Sequence, residues 1–284
     1  MSRYFELRRE LQEKFTDAGI ESAGVDADIL ISELAGFTRT ELFLRSDTKV
    51  PGELEKRIRT LGNRRAGREP LQYLLGYAYF MDIRLDVSPE VLIPRPETEC
   101  LVEWTAKYLP RSGTLLDLGT GSGAIALAVA YERPDAVITA VDVSPNALSI
   151  ALNNAEKLGL SRVRFLESDL FCALEGEAFD LIAANLPYVT DEEYTGLEPE
   201  VRCHEPRLAL TAPDAGFDLI RRAAHAAAQH LKPGGRIIFE LSPFQAPRLA
   251  ELLAAAGAFR EIAAMQDYTH RERFVTARLA EEPQ

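Results

Sequence analysis

No run of apolar residues in the 284-residue chain approaches the roughly 18 that a membrane-crossing helix needs. The opening stretch, MSRYFELRRELQEKF, is charged throughout. It reads neither as a signal peptide nor as an anchor, so no membrane partner is expected and the expected location is cytoplasmic. Cysteine is scarce: Cys100, Cys172 and Cys203 are scattered and lack CxxC spacing. That pattern suits a reducing compartment and argues against a disulfide framework or a structural zinc site. Cys203 and His204 adjoin, but no second ligand pair accompanies them, so no metal is expected. Positive charge is short as well. The net charge is −12, of which residues 1–95 carry only −1 and the remainder −11. A protein that wraps a nucleic-acid backbone needs a basic stripe, so direct sequence-specific nucleic-acid binding is not expected.

What is present is an ordinary globular composition, 46% hydrophobic and 27% charged, without internal repeats or low-complexity segments. Its length allows one large domain, or a large and a small one. Two rhythms divide the chain. Up to about residue 75 the spacing is helical: Tyr4, Leu7, Leu11 and Phe15 form one stripe, Leu54, Ile58 and Leu61 another after Pro51, and Thr38-x-x-Glu41 reads as a capping box. Lys56, Arg57, Arg59, Arg64, Arg65 and Arg68 form a basic cluster there, read as a solvated helix face in preference to a patch for an acidic or RNA-bearing partner. Next, YAYFMDIRLDVSPEVLIP alternates and breaks at Ser88-Pro89-Glu90, which predicts a hairpin.

From about residue 97, strand-like and helix-like segments alternate. The strand candidates are Thr114–Leu118, Val137–Val141, Val163–Glu167, Phe179–Ala184, Arg236–Leu241, Phe259–Ala264 and Phe274–Leu279; helical segments include Ala124–Tyr131, Pro145–Leu158, Phe217–His230 and Phe244–Ala256. This alternation predicts an α/β fold with a doubly wound, mostly parallel seven-stranded sheet, its ligands at the carboxyl ends of the strands.

The first chemical motif is LLDLGTGSGAIALA, a strand running through Gly119, Thr120, Gly121, Ser122 and Gly123 into a helix, where backbone can approach a ligand closely. Asp142 follows Gly119 by 23 positions, near the spacing at which an acid meets ribose hydroxyls. The pair reads as a nucleoside-ligand site. Gly119-x-Gly121-x-x-Ala124 also fits a dinucleotide, but Asp117 favours S-adenosylmethionine, whose ammonium and sulfonium suit a carboxylate better than a pyrophosphate does. Asp169 stands where an adenine amine would be met, with Leu170 to pack on the ring.

AANLPYVT follows the fourth candidate strand, so Asn185 projects from the same rim. A planar nitrogen is a poor nucleophile because its lone pair is delocalised. If its two N–H groups donate to the Asn185 side-chain carbonyl and the Leu186 backbone carbonyl, the nitrogen can pyramidalise and aim its lone pair at a methyl group. Pro187 then stiffens the turn, and Tyr188 would stack on the flat acceptor.

NLPY resembles the Asn-Pro-Pro-Tyr motif of amino-group methyltransferases. With VLIPRPETE (91–99), GREPLQYLLG (67–76), DLGTGSGAIALA (117–128) and EPRLAL (205–210), the whole chain resembles the peptide chain release factor glutamine methyltransferases, the PrmC/HemK family. The resemblance implies a Rossmann-like S-adenosylmethionine-dependent methyltransferase domain over 97–284, a helical substrate-recognition domain over 1–75 and a β-hairpin linker over 76–96. It implies methyl transfer to the amide nitrogen of the glutamine in the Gly-Gly-Gln motif of release factors, yielding S-adenosylhomocysteine. Cofactor contacts would fall at Gly119–Gly123, Asp142, Asp169, Leu170 and Asn185, and substrate contacts at Asn185–Tyr188. The alternative acceptors are another planar amino group, on a ribosomal-protein glutamine or on adenine in DNA. Two positions depart from the family pattern: Leu186 replaces the usual first proline, and Ser242 stands where glycine is expected after Phe239-Glu240-Leu241.

Overall fold

The computed structural model describes residues 2–281; Met1 and residues 282–284, at the outer ends of the two domain spans read from the sequence, lie outside the described residues. The chain divides into two compact units. One runs to Tyr77 and adds Glu198–His204; the other comprises Ala78–Leu197 and resumes at Glu205. Among the described residues no helix is long and apolar enough to cross a membrane.

The first unit is built from helices Tyr4–Asp17, Ala23–Ala35, Arg39–Leu44, Gly52–Ala66 and Leu71–Leu75, with Pro199–His204. The stripe Tyr4, Leu7, Leu11 and Phe15 is buried along the first helix and packs with Leu30, Ile31, Leu42 and Ile58. Thr38 Oγ1 accepts from Glu41 N at 3.1 Å while Glu41 Oε2 accepts from Thr38 N at 2.8 Å, closing the capping box. The basic cluster is largely paired inside this unit. Arg64 donates to Glu69 and Arg59 to Glu55. Arg65, only 5% exposed, corrects the solvated-face reading: it donates to Asp26 Oδ2 at 2.7 Å and to Glu200 Oε1 at 2.9 Å. Arg68 donates to Glu200 Oε2 at 2.7 Å and Glu198 Oε2 at 2.6 Å. These pairs hold Glu198–His204 on the helical unit, although in the chain it falls within the second.

A hairpin follows, β1 (Tyr77–Phe80) and β2 (Ile83–Asp86), all of it after Tyr77 counted with the second unit. Its turn falls at Met81-Asp82, earlier than the predicted break at Ser88-Pro89-Glu90, because Glu99 Oε1 accepts from Met81 N at 2.8 Å and Met81 adopts φ 47°. The Ser88 segment is a separate turn. Phe80, Ile83 and Leu85 belong to the core beneath the sheet.

That sheet has seven strands: β3 (Thr114–Leu118), β4 (Val137–Asp142), β5 (Arg164–Glu167), β6 (Phe179–Asn185), β7 (Leu231–Glu240), β8 (Phe259–Gln266) and β9 (Glu272–Leu279), in the order β5-β4-β3-β6-β7-β9-β8. Neighbours from β5 to β7 are parallel; β9 runs antiparallel to both β7 and β8. Leu115, Leu181 and Ile238 face one apolar cluster while Leu116, Ile182 and Phe239 face another. Burial on both faces explains why the central strands read as continuous apolar runs. β7 begins five residues before the predicted Arg236, since Lys232-Pro233-Gly234-Gly235, a turn by composition, is absorbed as an irregular strand start. The chain builds outward from β3 to β5, then returns to β6 on the other side of β3, and this reversal opens a crevice at the carboxyl ends.

In the helical unit, a Cβ at Gly62 would overlap Leu11 Cδ2. Gly62→Val is expected to destabilise that unit by about 1–3 kcal/mol through overpacking, measured as a lower denaturant midpoint in chemical unfolding.

Candidate functional site

Beyond the carboxyl ends of β3, β4, β5 and β6 lies a pocket of about 370 Å³, within the range of small-molecule sites. Gly119 and Gly121 form one wall. Gly119 N and Thr120 N both donate to Val141 O at 2.9 Å, pinning the loop to the end of β4. Gly121 N donates to Asp142 Oδ2 at 2.8 Å and Ser144 N to Oδ1 at 2.9 Å, so each carboxylate oxygen keeps a further acceptor direction. Burial raises the Asp142 pKa, opposed by these backbone donors. Gly121 has φ 55°, and a Cβ there would meet no atom within 4 Å: the space a side chain would fill belongs to the pocket.

Thr120, Ser122 and Gly123 do not line this pocket. Thr120 Oγ1 donates to Asp117 Oδ2 at 2.7 Å, Ser122 O accepts from Asn154 Nδ2 at 2.9 Å, and a Cβ on Gly123 would strike Leu127. They shape the loop from behind. Asp117 is a further correction. It is fully buried, accepts from Thr120 and from Ala126 N at 3.2 Å, and does not line the pocket. Among the described residues its Oδ1 has no partner. Burial pushes its pKa from the ordinary 3.8 up to about 7.

Asp169 and Leu170 both line the pocket, as does Ser168. Asp169 Oδ2 accepts from Arg222 Nη2 at 2.7 Å. Leu170 adopts φ 51°, a strained conformation for leucine, held by Ser168 Oγ donating to Leu170 O at 2.8 Å.

Asn185, Leu186 and Pro187 line the opposite side. Asn185 Nδ2 donates to Thr98 Oγ1 at 3.0 Å. Leu186 is buried, and its Cδ2 lies 3.1 Å from where a Cβ on Gly119 would stand, so the leucine that replaces proline packs on the glycine loop. Tyr188 does not line the pocket. Its pKa is raised, first by burial and then by the charge of Glu240, and its carbonyl accepts from Gln245 Nε2 at 3.0 Å. Gly216, at φ 73°, leaves room for that carbonyl, which a Cβ would overlap. Ser242 has a structural reason: with Gln245 it closes a capping box on the turn Pro243–Gln245, which delivers Gln245 to Tyr188. On the far side Val189 N donates to Leu210 O at 2.9 Å.

Several site residues were not read individually from the sequence. Val91 and Leu92, from VLIPRPETE, and Pro206, Leu208 and Ala209, from EPRLAL, line the pocket. The two blocks are joined by Glu205, which accepts from Ile93 N at 3.1 Å and from Arg95 Nη2 at 2.6 Å. Their presence among the resembling blocks was the available signal. Thr98 lies in the first of these blocks, and Glu240 entered only through the Phe239-Glu240-Leu241 pattern, with no role of its own read for either.

The fold and this rim define a methyltransferase. Residues 111–266 match the family model described as a methyltransferase domain. The fold is shared with the crystal structure of a methyltransferase from Pyrococcus furiosus, 19% identical, covering 69% of this chain and 89% of that one with a TM-score of 0.52. Residues 6–76 match the PrmC N-terminal domain. The release factor glutamine methyltransferase of Deinococcus radiodurans is 41% identical over 97% of this chain and 98% of its own length. Those of Rhodopirellula baltica (42% identical, 94% and 93%) and Salmonella typhimurium (39%, 89% and 91%) are similar over comparable spans. The chain belongs to the release factor glutamine methyltransferase family.

Asp117 makes stability depend on pH. Its folded pKa is raised, so the neutral carboxyl favours the folded state below the unfolded value of 3.8, and that contribution is lost as pH rises through about 7. Wild type is expected to lose stability relative to Asp117→Asn across this window and to run parallel to it above. Urea unfolding of both proteins over a pH series measures the difference.

Proposed function

We propose that the protein transfers a methyl group from S-adenosylmethionine to the side-chain amide nitrogen of the glutamine in the Gly-Gly-Gln motif of release factors. The observation that carries this reading is the convergence of Gly119, Gly121, Asp142, Leu170 and Asn185 on one pocket in a chain of this family. The donor set suits the cofactor: side-chain-free backbone at Gly121, a carboxylate at Asp142 with acceptor capacity for ribose hydroxyls, and the apolar face of Leu170 for the adenine. When bound, S-adenosylmethionine supplies an electrophilic methyl group on a sulfonium.

The chain's own residues do the rest. Asn185 Oδ1 and the Leu186 carbonyl accept the two N–H groups of the glutamine amide and draw its lone pair out of conjugation. This is positioning with stabilisation of developing charge, and well-oriented groups can lower a barrier by up to about 7–11 kcal/mol. After transfer, water can take the excess proton, so no strong base is needed. Leu186 acts through its carbonyl while its side chain packs on Gly119. Because Tyr188 lies outside the pocket lining, we assign its ring to supporting the loop in place of stacking on the acceptor. The helical domain, residues 1–75, is assigned to docking the folded release factor, and residues 76–96 to the linker. The acidic second half of the chain favours a protein acceptor over adenine in DNA.

Mass spectrometry of a release factor incubated with the protein and S-adenosylmethionine should show one methyl added on the Gly-Gly-Gln peptide; an unmodified peptide refutes the reading. Asn185→Ala is expected to slow single-turnover methylation on the order of 10²–10³-fold. Asp142→Ala should weaken S-adenosylmethionine binding by about 1.5–3 kcal/mol in titration calorimetry, and equal affinities would remove Asp142 from the cofactor site.

A further inference from the structure

The proposed chemistry needs the carbonyl end of Asn185, not its NH₂ end, to face the pocket. The two ends are nearly isosteric, so shape alone does not choose between them. Asn185 Nδ2 donates to Thr98 Oγ1 at 3.0 Å, in the first turn of the helix Pro96–Tyr108. A threonine hydroxyl has one hydrogen. The Glu240 carboxyl belongs to the register partner of Asn185 on β7 and offers that hydrogen an acceptor. A hydrogen directed to Glu240 leaves Thr98 Oγ able only to accept, and then only the NH₂ end of Asn185 can donate to it. We infer that Thr98, backed by Glu240, is a positioning residue that turns the Asn185 carbonyl toward the acceptor amide.

A second observation separates this from simple packing. Glu240 is 1% exposed, and among the described residues its Oε2 has no hydrogen-bond partner. Keeping a carboxyl there carries a desolvation cost that an apolar side chain at the end of a buried strand would avoid. Arg273 and Arg95 favour its charged form, while Glu97 and burial oppose it. Thr98 is itself buried, so its hydroxyl serves neighbouring protein groups and not bulk water.

The inference rests on the proposed methyl transfer, and wild type tests that reading first: if wild type leaves the Gly-Gly-Gln peptide unmodified, the reading fails before Thr98 is examined. With wild type active, Thr98→Val and Thr98→Ser are compared with it at a pH well above 7, where Glu240 is ionised. Valine keeps the shape and removes the hydroxyl; serine keeps the hydroxyl and removes the methyl. Thr98→Val should lower kcat about ten- to a hundredfold, the usual effect of losing the partner that orients a functional ligand. Its KM for the peptide and its melting temperature should stay close to wild type, and Thr98→Ser should restore most of kcat. Full kcat in Thr98→Val overturns the proposal. So does a Thr98→Ser protein that is folded but as slow as Thr98→Val, since the hydroxyl would then not be what restores the orientation of Asn185.

Discussion

The parallel register of β4, β3 and β6 is the constraint on which the site depends. Leu118 is level with Val141 on one side and with Ala184 on the other. The next residue on each strand is therefore at the rim: Gly119, Asp142 and Asn185. A slip of one residue in either pairing would turn a functional side chain to the opposite face. The apolar runs that bury both faces of these strands hold that alignment, so the packing of the core and the geometry of the rim are one problem.

Around this rim, short segments each carry several structural duties. In the block Arg95-Pro96-Glu97-Thr98-Glu99, Pro96 opens a helix, Arg95 ties down Glu205, Thr98 reaches Asn185 and Glu99 closes the hairpin turn. The loop after Asn185 is gripped from two sides, by Gln245 at the Tyr188 carbonyl and by Leu210 at the Val189 amide. Ser242 and Leu186, the two departures from the family pattern, both belong to this support. One caps the turn that presents Gln245; the other fills the space that Gly119 leaves open. Preorganisation of this kind suits a reaction that relies on orientation and not on a strong base.

Charge is distributed by the same logic. The helical unit neutralises much of its basic cluster internally, with Arg65 buried against Asp26 and Glu200. In the second unit two acids, Asp117 and Glu240, are fully buried and pushed up to about 7, whereas Asp142 keeps its place on the pocket wall. Acids at neighbouring strand ends thus take different parts. Asp117 braces the glycine loop, Glu240 stands beside Asn185 on β7, and Asp142 faces the ligand space.

The sequence by itself determined the elements whose signal is local. Helical stripes, apolar strands, the Thr38–Glu41 cap, the glycine turn after β3 and the polar residues just past β4, β5 and β6 were legible because each depends on neighbours a few positions away. Two local readings meet other surroundings: Asp117, beside the glycines, is buried behind the loop, and Tyr188, beside Asn185, lies outside the pocket lining. Whether a residue at a strand end points into the pocket or behind it depends on the face of the sheet and on what packs there. Only the tertiary structure decided that, and only it brought Thr98 to Asn185 across 87 residues and Glu205 to Ile93 across 112. Such contacts follow from strand order and helix placement, which no periodicity within a single segment encodes.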